Sequence, residues 1–241
     1  MAAKQVGGEI LMSEIKAVLW DVDGTILDFA AAERAAIRKC FEHFRLGECT
    51  DTMLKKYSAI NVRWWERLER GENTKPEILI GRFVEFFSNY GIDAAVAPAF
   101  NDEYQIRLGD TIGFHSHAME TIEALRGKVI QCAVTNGTKT AQTKKIARSG
   151  LDKMLNAIFI SEDIGAEKPT KEFFTAVFAA FPEIRPDEMM IVGDSLTSDM
   201  RGGNNVGLIT CWYNPRHLPV PENIRIDHDI DDLADVLKIV G

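Results

Sequence analysis

Four short apolar runs in this chain each give way to a cluster of polar residues, and helical periodicity fills much of the space between them. Residues 15–20 lead into Asp21-Val22-Asp23-Gly24-Thr25, and residues 129–134 into Thr135-Asn136-Gly137. Residues 157–160 precede Lys168-Pro169, and residues 189–192 run into Gly193-Asp194-Ser195 and on to Asp199. Short apolar runs bounded by breakers read as strands buried on both faces, the kind found in parallel sheets. Strands alternating with helices build such a sheet through right-handed crossovers. Every strand then points the same way, so the four clusters meet at one edge, outside the carboxyl ends of the strands, where ligands bind. The expected fold is α/β, with a Rossmann-like parallel sheet core covered by helices on both faces.

One interval breaks the alternation. Between the first two runs, residues 31–117 are helical in pattern. Residues 30–44 repeat Ala32, Ala36, Cys40 and Phe44 on one helical face. Helices are expected over 51–68 and 75–90, stopped by Gly71 and Gly91, and over 100–108 after a break at Pro98. The chain therefore divides into a loose tail over 1–14 (with Met12 as an alternative start), a core over 15–30 and 118–241, and an inserted all-helical domain over 31–117. Within the core, helices are expected at 118–126, 138–149, 170–181 and 197–205, with Gly150 and Thr170 as caps. A strand at 208–211 precedes a last helix at 231–239, with Leu233, Val236, Leu237 and Val240 facing in.

The paired carboxylates of Asp21 and Asp23 suit phosphoryl chemistry, since one can attack phosphorus while the other moves a proton. Asp-x-Asp also occurs in solvated loops and calcium sites. The order of the clusters is more telling: Asp-x-Asp, then a threonine, then a lysine, then Gly-Asp with a second aspartate at Asp199. From residue 15 onward this order resembles the haloacid dehalogenase superfamily, in which a helical cap is inserted after the first motif. The resemblance implies Asp21 as nucleophile, Asp23 as general acid and base, and Thr135, Asn136 and Lys168 as phosphate-binding residues, with Lys168 also part of the catalytic set. It implies Mg²⁺ held by the side chains of Asp21 and Asp194 and the backbone carbonyl of Asp23. Asp199 would act from outside that ligand set, on a metal-bound water or on Lys168. Other readings stand beside these. Thr135 could cap the next helix, Lys168 could be a solvated loop cation, and either later aspartate could be a charge at a helix N-terminus. His115 and His117 read as hinge or surface residues.

The segments Asn61-Val62-Arg63-Trp64-Trp65, Arg82-Phe83 and Thr210-Cys211-Trp212-Tyr213-Asn214 are similar to the bacterial pyrimidine 5′-nucleotidase branch of that superfamily. The implied activity is hydrolysis of small phosphate monoesters through an aspartyl-phosphate, with nucleoside monophosphates as substrates. A phosphosugar mutase or sugar-phosphate phosphatase, and a catalytically silent binding module, are the competing readings. Adjacent helical residues point about 100° apart, so Trp64 and Trp65 cannot share a face. Asn61 and Trp65 do share one and could hold a substrate ring together, although Trp65 could equally anchor the helical core.

Charge narrows the partners further. A net charge of −8 argues against a nucleic-acid polymer or an anionic membrane surface. No run approaches the ~20 apolar residues of a membrane span. The four cysteines show no Cys-x-x-Cys spacing and read as reduced thiols of a cytoplasmic protein.

Overall fold

The computed structural model describes residues 14–241, so the expected tail and Met12 lie outside the described residues, save Glu14. Six strands form one sheet in the order β3-β2-β1-β4-β5-β6, and every pairing is parallel. They are β1 (Ala17–Trp20), β2 (Ile130–Thr135), β3 (Ala157–Ile160), β4 (Met189–Gly193), β5 (Ile209–Tyr213) and β6 (His228–Ile230). Because β1 lies between β2 and β4, it is buried along its whole length. The strand alternates its side chains between two cores. Val18 and Trp20 face one, shared with α5 (Ala118–Leu125), α6 (Lys139–Ser149) and α10 (Val236–Val240). Ala17 and Leu19 face the other, built from Phe173, Phe174 and Val177 of α8 (Lys171–Ala180) and from Met200 and Leu208. The α/β core and its two-sided cover are therefore as the alternation predicts.

Between β1 and β2 the chain forms α1 (Phe29–His43), α2 (Asp51–Glu69), α3 (Lys75–Ser88) and α4 (Ala97–Leu108). These helices bury a core of their own in which Phe41, Tyr57, Phe83, Phe86, Phe100 and Tyr104 meet. The rings pack edge-on, tilted or offset, with centroid distances such as 5.9 Å for Phe41–Phe100 and 5.2 Å for Tyr57–Phe83. Pro98 does not break a helix. It sits in the first turn of α4, where its missing N–H costs nothing. The helical pattern ends at Leu108, and the return segment instead pairs with the outgoing one: Asp28 N donates to Gly113 O at 2.9 Å, and His115 N to Ile26 O at 3.0 Å. The two connections between helical block and sheet thus lie side by side.

Other departures are local. Residues 197–205 divide into a π-helical turn, Leu196–Met200, and α9 (Arg201–Val206). The last helix is shorter than expected, with Leu233–Asp235 forming a 3₁₀ turn before α10. Neither α7 (Ser161–Ile164) nor β6 is evident in the sequence, because both are too short for a periodic signal. Among the described residues no helix is long and apolar enough to cross a membrane.

Candidate active site

Where β1 ends, Asp21 still joins the sheet through its backbone N–H, which donates to Val192 O at 2.9 Å. Three residues on, Gly24 adopts a left-handed φ of +96°, and a Cβ there would stand 2.6 Å from Asp194 Oδ2. Glycine alone lets the loops after β1 and β4 come this close. The buried hydroxyl of Thr25 joins them, accepting from Asp194 N at 3.0 Å. Trp212, near the end of β5, donates to Asp194 O at 3.0 Å. Neighbouring strand ends thus carry and fix the two facing aspartates.

Lys168 lies at the centre of the cluster and is 1% exposed. Its ammonium donates to Asp21 Oδ1 at 2.8 Å, Asp199 Oδ1 at 2.6 Å and Val134 O at 2.8 Å, which uses all three of its donors. Asn136 holds the lysine's own backbone: its Nδ2 donates to Lys168 O and its Oδ1 accepts from Lys168 N, both at 2.8 Å. The Asn136 side chain thereby braces the Lys168 loop. Thr135 is buried, and its Oγ1 accepts from Gly137 N at 3.1 Å. It does not cap the following helix. Thr138 does, accepting from Ala141 N at 3.3 Å. Asp199 lies in the π-helical turn, with Oδ2 accepting from Ser195 N at 3.2 Å.

Burial pushes the Asp21 carboxyl up to about 7 against the pull of Lys168, and the nearby charges of Asp199 and Asp23 push the same way. Asp194 has one side open to solvent. The protein packed around the remainder, then the charges of Asp21 and Asp199, raises its carboxyl well above the usual range. Burial works against the charge on Lys168, but Asp199 and Asp21 outweigh it and hold the ammonium above an ordinary lysine. Oxygens of Asp21, Asp194 and Asp199 lie within 4.8 Å of one another. Three carboxylates against one ammonium leave the cluster short of positive charge. An all-oxygen donor set of this kind fits a hard divalent cation such as Mg²⁺.

Above these residues lies a cavity of about 440 Å³. Phe29, Asn61, Trp65, Arg82 and Leu108 of the helical block form part of its wall. Both candidate cap residues therefore reach it, but Asn61 arrives with its amide engaged. Its Nδ2 donates to Glu33 Oε1, and its Oδ1 accepts from Arg82 Nη1, each at 2.8 Å. Trp64 turns the other way, donating to Glu85 Oε2 at 2.8 Å and packing over Gly81. His117 pairs with Asp232 at 2.8 Å, and His115 meets the Tyr213 ring edge-on, both beside the connections.

Among the cavity residues that escaped the sequence reading, three make side-chain hydrogen bonds at the site. Glu69, the last residue of α2, accepts from the Thr197 hydroxyl, and burial pushes its carboxyl up to about 7. Gln142 and Lys145 of α6 both donate to Asp23. Their residue types, on a lysine-rich helix, read as an ordinary solvated face. Only their spacing of three, which aligns them on α6, offered a signal.

A model of the haloacid dehalogenase-like hydrolases matches residues 15–207. YfnB of Bacillus subtilis, named as a HAD-hydrolase, is 38% identical over 95% of this chain and 97% of its own. A crystal structure of YfnB, described as bound to magnesium and as revealing interdomain movement, superposes with a TM-score of 0.89. That match is 35% identical and covers 95% of this chain and 100% of the other. The pyrimidine 5′-nucleotidase PynA of Streptococcus pneumoniae is 31% identical over 92% of this chain and 93% of its own. A glyceraldehyde 3-phosphate phosphatase of Pyrococcus furiosus is 38% identical over 95% of this chain and 94% of its own.

Proposed function

Because the chain belongs to the haloacid dehalogenase-like hydrolases, we propose that it is a magnesium-dependent phosphatase of small phosphate monoesters, with pyrimidine nucleoside 5′-monophosphates as substrates. The observation that carries this reading is the buried Asp21 carboxylate. It is held by Lys168 at the foot of a cavity that also has an aromatic wall, Phe29 and Trp65.

In this reading a carboxylate oxygen of Asp21 attacks phosphorus, and the ester P–O bond breaks. Asp23 gives its proton to the departing alcohol oxygen. Asp23, now a carboxylate, takes a proton from water as the water oxygen attacks the same phosphorus. The bond to Asp21 then breaks, releasing phosphate and restoring the nucleophile. Lys168 fixes the orientation of Asp21 and offsets the charge gathered around the phosphoryl group. Thr135 and the backbone N–H groups that follow it lie near the N-terminus of α6, where an anion is favoured. When bound by Asp21, the Asp23 carbonyl and Asp194, Mg²⁺ supplies neutralisation of phosphoryl charge.

The PynA match and the cavity's aromatic side chains support a nucleotide. The glyceraldehyde 3-phosphate phosphatase match keeps a small sugar phosphate as the rival. Phosphate release from a panel of UMP, CMP, dTMP, AMP and triose and pentose phosphates separates them. Pyrimidine nucleotides are expected to give the highest kcat/KM, and a triose phosphate in that place overturns the substrate assignment.

A further inference from the structure

We propose that Lys145 and Gln142 are positioning residues that aim the Asp23 carboxyl at the leaving-group oxygen, an inference that rests on the phosphatase reading above. The geometry around Asp23 carries it. Lys145 Nζ lies 2.7 Å from Asp23 Oδ1, and Gln142 Nε2 lies 2.6 Å from Asp23 Oδ2. Each carboxylate oxygen therefore meets a donor from the same helix. Two such bonds fix both side-chain torsions of a residue that stands on a loop, which a single bond cannot do.

Neither donor is where a surface helix would put it. Lys145 is 1% exposed and Gln142 fully buried, while Lys139 and Lys144 of the same helix reach outward to Asp163 and Asp110. Burying an ammonium is costly unless it is paired. Among the described residues the carboxylate it pairs with is Asp23, and the Phe29 ring lies 5.0 Å away. The approach of Gln142 also depends on Gly137, since a Cβ at that position would collide with Gln142 Nε2. Among the described residues Gln142 Oε1 meets no donor. The amide is turned so that its donor, Nε2, reaches Asp23 Oδ2. The glycine of Thr135-Asn136-Gly137 thus serves the proton-transfer residue as well as the phosphate loop.

A misaimed acid harms most the substrate whose leaving group most needs a proton. The test compares kcat/KM for para-nitrophenyl phosphate, whose phenolate leaves unaided, with phenyl phosphate, which has nearly the same shape. The variants are Lys145→Met, Lys145→Arg and Gln142→Leu, with Asp23→Asn as reference. General acid–base catalysis contributes roughly 10²–10⁴-fold, so Lys145→Met and Gln142→Leu should lose at least about tenfold more on phenyl phosphate than on the nitrophenyl ester. Lys145→Arg should recover much of that difference. Equal losses on both esters, with a selective loss in Asp23→Asn, overturn the proposal and leave the phosphatase reading standing. Equal losses in Asp23→Asn as well remove Asp23 as the acid, and the positioning role with it. Gln142→Leu keeps the ammonium paired, so the comparison survives if Lys145→Met does not fold.

Discussion

Lys168 illustrates what a single residue gains from its surroundings. As a lysine beside a proline it carries no signal beyond its place in the order of motifs. Folded, it is among the described residues the ammonium in direct contact with both Asp21 and Asp199. That order was legible because it follows strand order. The burial was not, since it depends on segments distant in the chain. At this scale Asp21→Asn should leave the fold intact and lower kcat by more than ~10³-fold, the range for removing one member of a catalytic unit. Near-normal turnover in that variant excludes an aspartyl-phosphate. A cation needs deprotonated carboxylates, and those of Asp21 and Asp194 are raised, the first to about 7. Protons on Asp21 therefore compete with Mg²⁺ as pH falls below that value, and the raised Asp194 carboxyl works in the same direction. Calorimetric titration should find affinity falling about tenfold per pH unit for each proton displaced, and Asp194→Ala should abolish the binding. An affinity independent of pH would mean the ion sits elsewhere.

Among the elements, α2 joins packing most directly to recognition. Its successive tryptophans diverge: Trp64 anchors the helical core while Trp65 faces the cavity. Trp65→Ala should raise KM for UMP far more than for para-nitrophenyl phosphate, by the ~1–3 kcal/mol that base–aromatic stacking contributes. Equal rises on both substrates, with a lower Tm, would reduce Trp65 to a packing residue. Long elements of this kind were readable from periodicity, and their ends fell within a few residues of expectation. Elements of three to five residues were not. β6 alternates around a single Asp, and the turn bearing Asp199 takes a π-helical path that no residue pattern announces. Gln142 and Lys145 mark another limit, for the same side chains on a solvated helix would look identical in sequence.

At the scale of the whole molecule, the helical block and the sheet domain meet through charge as well as through the cavity. Asp110, just past α4, accepts from Lys144 of α6 at hydrogen-bond distance and from Lys39 of α1 at 3.2 Å. Partial burial alone would raise its carboxyl, but these two lysines prevail and hold it at about 2. A carboxyl depressed in the folded state adds stability above its unfolded value of 3.8, and that stability drains away as pH falls through about 2. Asp110→Asn should therefore lower Tm at neutral pH by on the order of 2–4 °C. The gap between variant and wild type should close as the medium is acidified through that window; a gap that persists there assigns the effect to packing. The order of the strands has a further consequence, for biosynthesis. A chain made from its N-terminus exposes β1 first, yet Ala17 pairs with Ile130 on one side and Met189 on the other. While β1 waits, α1–α4 can fold among themselves on the emerging polypeptide, since they form one continuous stretch of chain with a shared core. The last neighbour to arrive is the strand leading to Asp194. The nascent chain thus carries Asp21 early but cannot complete the acidic cluster until most of the protein has been synthesised, so a stalled or truncated product lacks the assembled site.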